Sequence, residues 1–290
     1  MAESISKEHN AIIVSSDAIR GELFGDENDQ NHNAQVFEEV HRRILAALRN
    51  GENAIYDATN LSAKRRKAFL SQVPRDVHKI AVVMATDYDI VLKQNASRSR
   101  QVPVEVIKQM YQRMQIPRMN EGWDGIEYAC NKNNTSDLIS VLLPCIGYDQ
   151  DNPHHSELLY DHMLAAANYV TRHSHEYGFA PREEAIVYIA ALFHDIGKPA
   201  CKTYKLWSGK IDDHAHYYGH ADVSAYMIAC LMRLVPEEDI NDWGIILNLI
   251  QYHMDCYADP DNWLDKVERQ KGLKFRKMLE LLHEGDKNGH

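Results

Sequence analysis

Residues 191–199 read ALFHDIGKP, and this stretch decides the fold of the C-terminal half. The apolar positions Ile186, Val187, Ile189, Ala190 and Phe193 recur at helical spacing and run into an adjacent His194-Asp195 pair. Gly197 reads as the helix cap, with Pro199 just beyond. Outward from this string the same arrangement repeats. His162 follows Leu158 and Leu159 on the face that continues to Ala165 and Ala166. His220 precedes Val223, Met227 and Leu231, and His253 shares a stripe with Trp243, Ile246 and Ile250. Asp286 sits one turn after Leu282, beyond Phe275 and Met278. Each of these ionisable residues points where apolar residues point. A single inward histidine is more often a hydrogen-bonded core residue than a ligand. Several on separate helices, with carboxylates among them, call for a shared divalent cation, because burying such groups unpaired is costly. Imidazole with carboxylate suits zinc, manganese, iron or nickel, and carboxylate with water suits magnesium.

Composition narrows the setting. At 290 residues the chain has room for two domains. Its 44% apolar share excludes bulk disorder. The net charge of −10 excludes a protein that blankets a duplex, so a phosphate substrate has to be drawn by metal ions or by a few Arg and Lys. No apolar run approaches the roughly 18 residues of a membrane span, and Met1–Asn10 has no signal pattern, so no membrane partner is expected. Cys130, Cys145, Cys201, Cys230 and Cys256 are scattered without a CxxC pair, which reads as a reduced, cytoplasmic protein. Of the 16 histidines 12 lie after residue 150, which assigns the metal chemistry to that half. Nothing in the sequence sets an oligomeric state.

The first 130 residues alternate strand and helix. Ala11–Ser16, Ala54–Tyr56 and Ile80–Ala85 read as strands. Ala34–Leu48, a basic helix capped by Ser62 (Lys64, Arg65, Arg66, Lys67), Asp89–Ala96 and Pro103–Arg113 read as helices. Such alternation predicts a mainly parallel α/β sheet. Asp17 and Asp57 end the first two strands, where parallel sheets bind ligands, although either is also an ordinary helix cap. Residues 131–153 read as a linker, and 154–290 as an all-α domain.

The order His162, His194-Asp195, Asp286, with YYGHADVSA at His220 and IQYHMD at His253, resembles the HD superfamily of metal-dependent phosphohydrolases. NPHHSELLYDH (residues 152–162) is similar to the opening of the HD domain of tRNA nucleotidyltransferases. The resemblance implies one metal on His162, His194, Asp195 and Asp286, and a second on Asp195, His220 and His253, so one or two cations per chain. It also implies catalytic roles for Asp195 and for Lys198, whose ammonium would steady the phosphoryl group. His155 and His216 are candidates for the pocket wall, although surface histidine is the plainer reading of each. Gly285, before the last aspartate, stands where the family has a small apolar residue such as alanine.

The strings SSDAIRGELFG, YDATNLSAKRR and NASRSRQVPVEVIKQMYQRMQIP, closed by EGWD at Glu121–Asp124, resemble the polynucleotide 5′-kinase family of P-loop phosphotransferases. By that resemblance Asp17 would activate an acceptor hydroxyl and Arg20 would grip the acceptor phosphate. Asp57 would lie near the phosphates, and Arg98 would be a lid arginine. Two features depart. The sequence has no GxxxxGK[ST] to cradle ATP phosphates, and Gln94 occupies a lid position that is usually arginine. The expected function is therefore phosphatase or phosphodiesterase action on a nucleotide or an RNA or DNA end, beside a kinase-like region without transfer activity. The alternatives are a bifunctional end-healing enzyme whose start is assigned too late, and a non-catalytic binding protein for nucleotides or RNA.

Overall fold

The computed structural model describes residues 1–153 and 157–288. Their contacts group them into two compact units, residues 1–80 with 119–125, and residues 81–118 with 126 onward.

The first unit holds α1 (Ala2–His9), β1 (Ala11–Ser15), α2 (Ser16–Phe24), α3 (Asn33–Arg49), β2 (Asn53–Asp57) and α4 (Ala63–Leu70). β1 and β2 pair in parallel, from Ala11 opposite Asn53 to Ser15 opposite Asp57. On α3, Val36, Val40 and Ile44 repeat every fourth residue and close with Val14, Ile19 and Phe69 into one core. The 3₁₀ turn Met119–Glu121 belongs here because Glu121 accepts two hydrogen bonds of 2.7 Å from the Arg66 guanidinium, and both side chains are buried. Arg66 therefore does not join Lys64, Arg65 and Lys67 on a basic surface.

The second unit begins within β3 (Ile80–Ala85), followed by α5 (Tyr88–Ala96), α6 (Val104–Arg113), β4 (Gly125–Cys130) and α7 (Leu138–Leu142). Then come α8 (Leu159–His173), α9 (Pro181–Phe193) and the short α10 (Lys198–Cys201), with the pair β5 (Thr203–Lys205) and β6 (Ile211–His216). It ends with α11 (His220–Leu231), α12 (Ile240–Tyr252), α13 (Asp255–Ala258), α14 (Trp263–Lys271) and α15 (Leu273–Asn288). α8 packs on α9 and α15, α12 packs on α9 and α11, and α15 also reaches α9. Leu159, Met163, Val187, Ile228, Leu247, Ile250 and Leu279 are fully enclosed between them. α9 starts cleanly because Pro181 needs no hydrogen-bond partner at the first helical position and the Glu183 carboxylate accepts from the Ala180 N–H at 2.9 Å.

The α/β region followed by a helical region is as expected, with four differences. First, the sheet is small: β3 pairs with β4 in a separate two-stranded sheet rather than extending β1–β2. Second, the compact units divide at residue 80 and not at 130, because the tyrosines of this segment face the helices. The Tyr111 ring lies 6.0 Å from Tyr226, whose hydroxyl donates to the Met84 carbonyl at 2.8 Å. Residues 131–153, read as a linker, include α7 and lie within the second unit. Third, an antiparallel hairpin, β5–β6, interrupts the helices. Fourth, Pro103 stands just before α6 and not in its first turn. No described helix is long and apolar enough to cross a membrane.

The Arg66–Glu121 pair gives a stability prediction. Glu121→Ala leaves a buried guanidinium without its carboxylate and should cost about 3–5 kcal/mol, whereas replacing both partners with apolar residues of similar volume should cost much less. Urea unfolding of the intact chain, followed by circular dichroism, reads the difference.

Candidate metal centre

Five helical segments deliver the ionisable residues singled out in the helical half. His162 lies in the first turn of α8, His194 ends α9, and Asp195 follows in the next turn. His220 opens α11, His253 ends α12, and Asp286 lies in the last turns of α15. All but Asp286 are buried, and the Asp286 side chain is 12% exposed.

The Asp195 carboxylate is shared. Its Oδ2 lies 3.2 Å from His194 Nε2 and 3.6 Å from His162 Nε2, while Asp286 Oδ1 lies 3.1 Å from His162 Nε2 and 3.3 Å from His194 Nε2. Its Oδ1 faces the other way, 3.0 Å from His220 Nε2 and 3.7 Å from His253 Nε2. Two sets result, His162, His194, Asp195 and Asp286, and Asp195, His220 and His253, each with its donor atoms within 4.8 Å of one another. These are the two groups that the sequence resemblance implies.

The imidazoles are oriented by one device. Nδ1 of His194, His220 and His253 each lies 2.7 Å from the carbonyl three residues earlier, at Ala191, Tyr217 and Ile250. A carbonyl only accepts, so each Nδ1 carries the proton and each Nε2 is left to face the shared space. Nε2 of His220 and His253 are 3.2 Å apart, and Nε2 of His194 is buried facing the Asp195 and Asp286 carboxylates. Imidazole nitrogens converging on one another and on two carboxylates need positive charge among them, as a proton or as a cation. The donor set thus fits one or two divalent cations, with imidazole and carboxylate ligands and a carbonyl behind each of three imidazoles.

Electrostatics point the same way. Burial works against charge on His194, yet Asp195 and Asp286 outweigh it and raise its pKa to about 10. His253, fully buried beside His194 and His220, is pushed down to about 3. Burial opposes ionisation of Asp195 and Asp286, but His194 and Lys198 beside the first, and His162 and His194 beside the second, hold both well below the usual carboxylate range. A cation entering this cluster would displace a proton from imidazole.

Lys198 is buried with Nζ 2.6 Å from Asp195 Oδ2 and 2.8 Å from Gln150 Oε1. Its visible work is to hold the shared carboxylate. Gln150, itself buried, escaped sequence reading because a glutamine in the polar string DQDNP looks solvated.

Two glycines set helix separations. At Gly197 a Cβ would meet the His220 carbonyl at 2.6 Å and Ser224 N at 2.8 Å, while the glycine N–H donates to Ser224 Oγ at 2.9 Å. Its φ of −79° is ordinary, so close approach rather than a left-handed cap requires glycine. At Gly285 a Cβ would meet the Ala166 carbonyl at 2.9 Å, so this glycine lets α15 lie against α8 and sets Asp286 beside His162.

The candidates of the N-terminal region have another character. β1 ends at Ser15, and Asp17 lies in the first turn of α2, half-exposed, 2.6 Å from Arg20 Nη1. Arg20 is buried and also donates to Asn33 Oδ1 at 3.0 Å, so its guanidinium is engaged inside the unit. Asp57 ends β2 and is exposed. Arg98 is exposed just after α5, in the second unit. His155 lies outside the described residues.

Comparison with known proteins gives two matches, the first of which runs past residue 80. Residues 1–117 match the model of an AAA domain, and residues 159–274 match that of the HD domain. L-seryl-tRNA(Sec) kinase of Methanococcus maripaludis is 32% identical over 100 residues, which is 34% of this chain and 39% of that protein. The chain thus pairs a kinase-like region with an HD domain and spans well under half of that relative.

The shared carboxylate and the glycine contacts are separable by metal analysis. Asp195→Ala should leave almost no bound divalent metal, while His253→Ala should lower the content without abolishing it, as read by plasma emission spectroscopy. Alanine normally stabilises a helix relative to glycine. Gly285→Ala should instead weaken metal affinity about 10–100-fold, as loss of support behind a ligand does, in a competition titration against a chelating dye.

Proposed function

We propose that the HD domain is a metal-dependent phosphatase or phosphodiesterase acting on nucleotides or on RNA or DNA ends, and that residues 1–130 contribute no phosphoryl transfer of their own. The observation that carries the reading is Asp195, buried and facing two histidine sets with opposite oxygens.

His162, His194, Asp195 and Asp286 would hold one divalent cation, and Asp195, His220 and His253 a second. Bound there, manganese, magnesium, iron, nickel or zinc would supply Lewis acidity toward a phosphoryl oxygen and lower the pKa of water. The chain's own residues do the rest. The three carbonyl-locked imidazoles keep their Nε2 atoms aimed without reorganisation. Lys198 balances the charge of Asp195 and would present positive charge to a substrate phosphate. Asp195 and Lys198 are the catalytic assignments, and free cysteines suit a cytoplasmic setting.

The HD domain supports hydrolysis, and the kinase-like region beside it favours a nucleotide or nucleic-acid end over other phosphate esters. These 290 residues hold no GxxxxGK[ST], whose backbone N–H groups and lysine cradle ATP phosphates. In the first unit Asp57, exposed at the end of β2, and Asp17, in the first turn of α2, are the candidates for holding substrate. A second reading, end-healing by both halves, draws on the likeness to the seryl-tRNA kinase.

A screen of nucleotides, 2′,3′-cyclic nucleotides and RNA 3′-phosphates against each metal tests the proposal. Turnover should reach background in His194→Ala and Asp195→Ala and be unchanged in Asp17→Ala. Metal-loaded protein inert toward the whole panel would instead indicate a binding module.

A further inference from the structure

The hairpin β5–β6 has no part in holding the cation, yet it displays an indole to solvent. Trp207 is 82% exposed. Tryptophan is usually largely buried, so its display needs a cause. The turn beneath it is closed. Gly209 N donates to the Leu206 carbonyl at 2.9 Å, Leu206 N donates to the Lys210 carbonyl at 2.9 Å, and Gly209 takes a φ of +88° that favours glycine. Trp207 therefore stands on a fixed turn and not on a loose tip.

Two more rings back it. The indole lies 4.6 Å from the Tyr218 ring, tilted by 42°, and Tyr218 lies parallel to His216, at 1° and 5.4 Å. His216 is held by its Nε2, 2.8 Å from Asp212 Oδ2. Tyr217, between them, points the opposite way, as alternate residues of an extended segment do. It is buried, donates its hydroxyl to the Gln150 carbonyl at 2.5 Å, and has its ring 5.6 Å from Lys198 Nζ. Residues 216–218 thus carry two rings of the aromatic ladder, His216 and Tyr218, and through Tyr217 contact the lysine of the metal centre, two residues before His220. Lys205 and Lys210, both exposed, lie two and three positions from Trp207 along the chain, and Asp212 and Asp213 lie on β6. In a chain of net charge −10 this balanced patch is comparatively hospitable to phosphate.

We propose that the His216–Tyr218–Trp207 ladder is a stacking platform for an unpaired nucleobase of the substrate whose phosphate reaches the metal centre. A flat, open aromatic face accepts any base, because every base has a π-face. The proposal rests on the phosphohydrolase reading for its choice of ligand, and it makes the substrate base-bearing rather than a simple phosphate ester.

Binding is read without turnover, on the intact chain in chelator, by anisotropy of a labelled deoxyadenylate hexamer and of an abasic strand of equal length and charge. The base-bearing strand should bind about tenfold or more tightly. Trp207→Ala should erase that preference, and Trp207→Phe should retain most of it. Trp207 is largely exposed, so neither change threatens the fold. Equal binding of the two strands, or a preference that survives Trp207→Ala, overturns the platform. A patch that serves a protein partner would give equal binding and so counts against it. Competition by adenosine 5′-monophosphate at the hexamer's own strength assigns the base to a free nucleotide, whereas a tenfold weaker effect assigns it to a strand end, and either result upholds stacking. Hydrolysis does not enter the measurement, so a failed hydrolase reading and a failed platform are distinguished.

Discussion

Enclosing the Asp195 carboxylate is the constraint on which the helical unit is organised. An isolated ion of that kind in a protein interior would shed its charge or disrupt the fold. Here it keeps its charge because Lys198 meets one oxygen directly and imidazoles approach both. Every main helix of the bundle contributes to that solution. α8, α9, α11, α12 and α15 each place an ionisable group at or near one end and hydrophobic side chains along the rest. The apolar lengths supply the packing energy, and the ends supply the chemistry.

Small features give this arrangement its accuracy. A carbonyl three residues back holds each of His194, His220 and His253, so those rings are aimed by their own backbone. Gly197 and Gly285 allow neighbouring backbone closer than any side chain would permit. Gly285 stands where the resemblance led one to expect alanine, and the Ala166 carbonyl explains why the smaller residue is needed in this chain. The departure strengthens the place of Asp286 in the cluster.

Much of this was legible from the residues alone. Histidines and aspartates in phase with apolar stripes identified five segments, because helical periodicity is local and survives without knowledge of neighbours, while their division into two ligand sets came from the resemblance to the HD superfamily. Features that depend on distant partners were not legible. Arg66 looks like any member of a basic run until Glu121 arrives from 55 positions away. The faces of α5 and α6 announce burial but not against what, so the compact units divide fifty residues before the expected boundary. The hairpin strands TYK and IDDHAH lack the alternation that would mark them. Arg20 was read as a phosphate grip, and only the packed unit reveals it as an internal residue.

The separation between His162 and Asp286 has a bearing on how the protein lives in the cell. They meet across 124 positions, and closing so long a span carries an entropy penalty that grows with its logarithm. An ion gripped from both ends would act as a clasp on α15, and each decade of free ion above its dissociation constant would add about 1.4 kcal/mol to the native state. Metal starvation would then be felt as faster degradation of the polypeptide as well as idle enzyme.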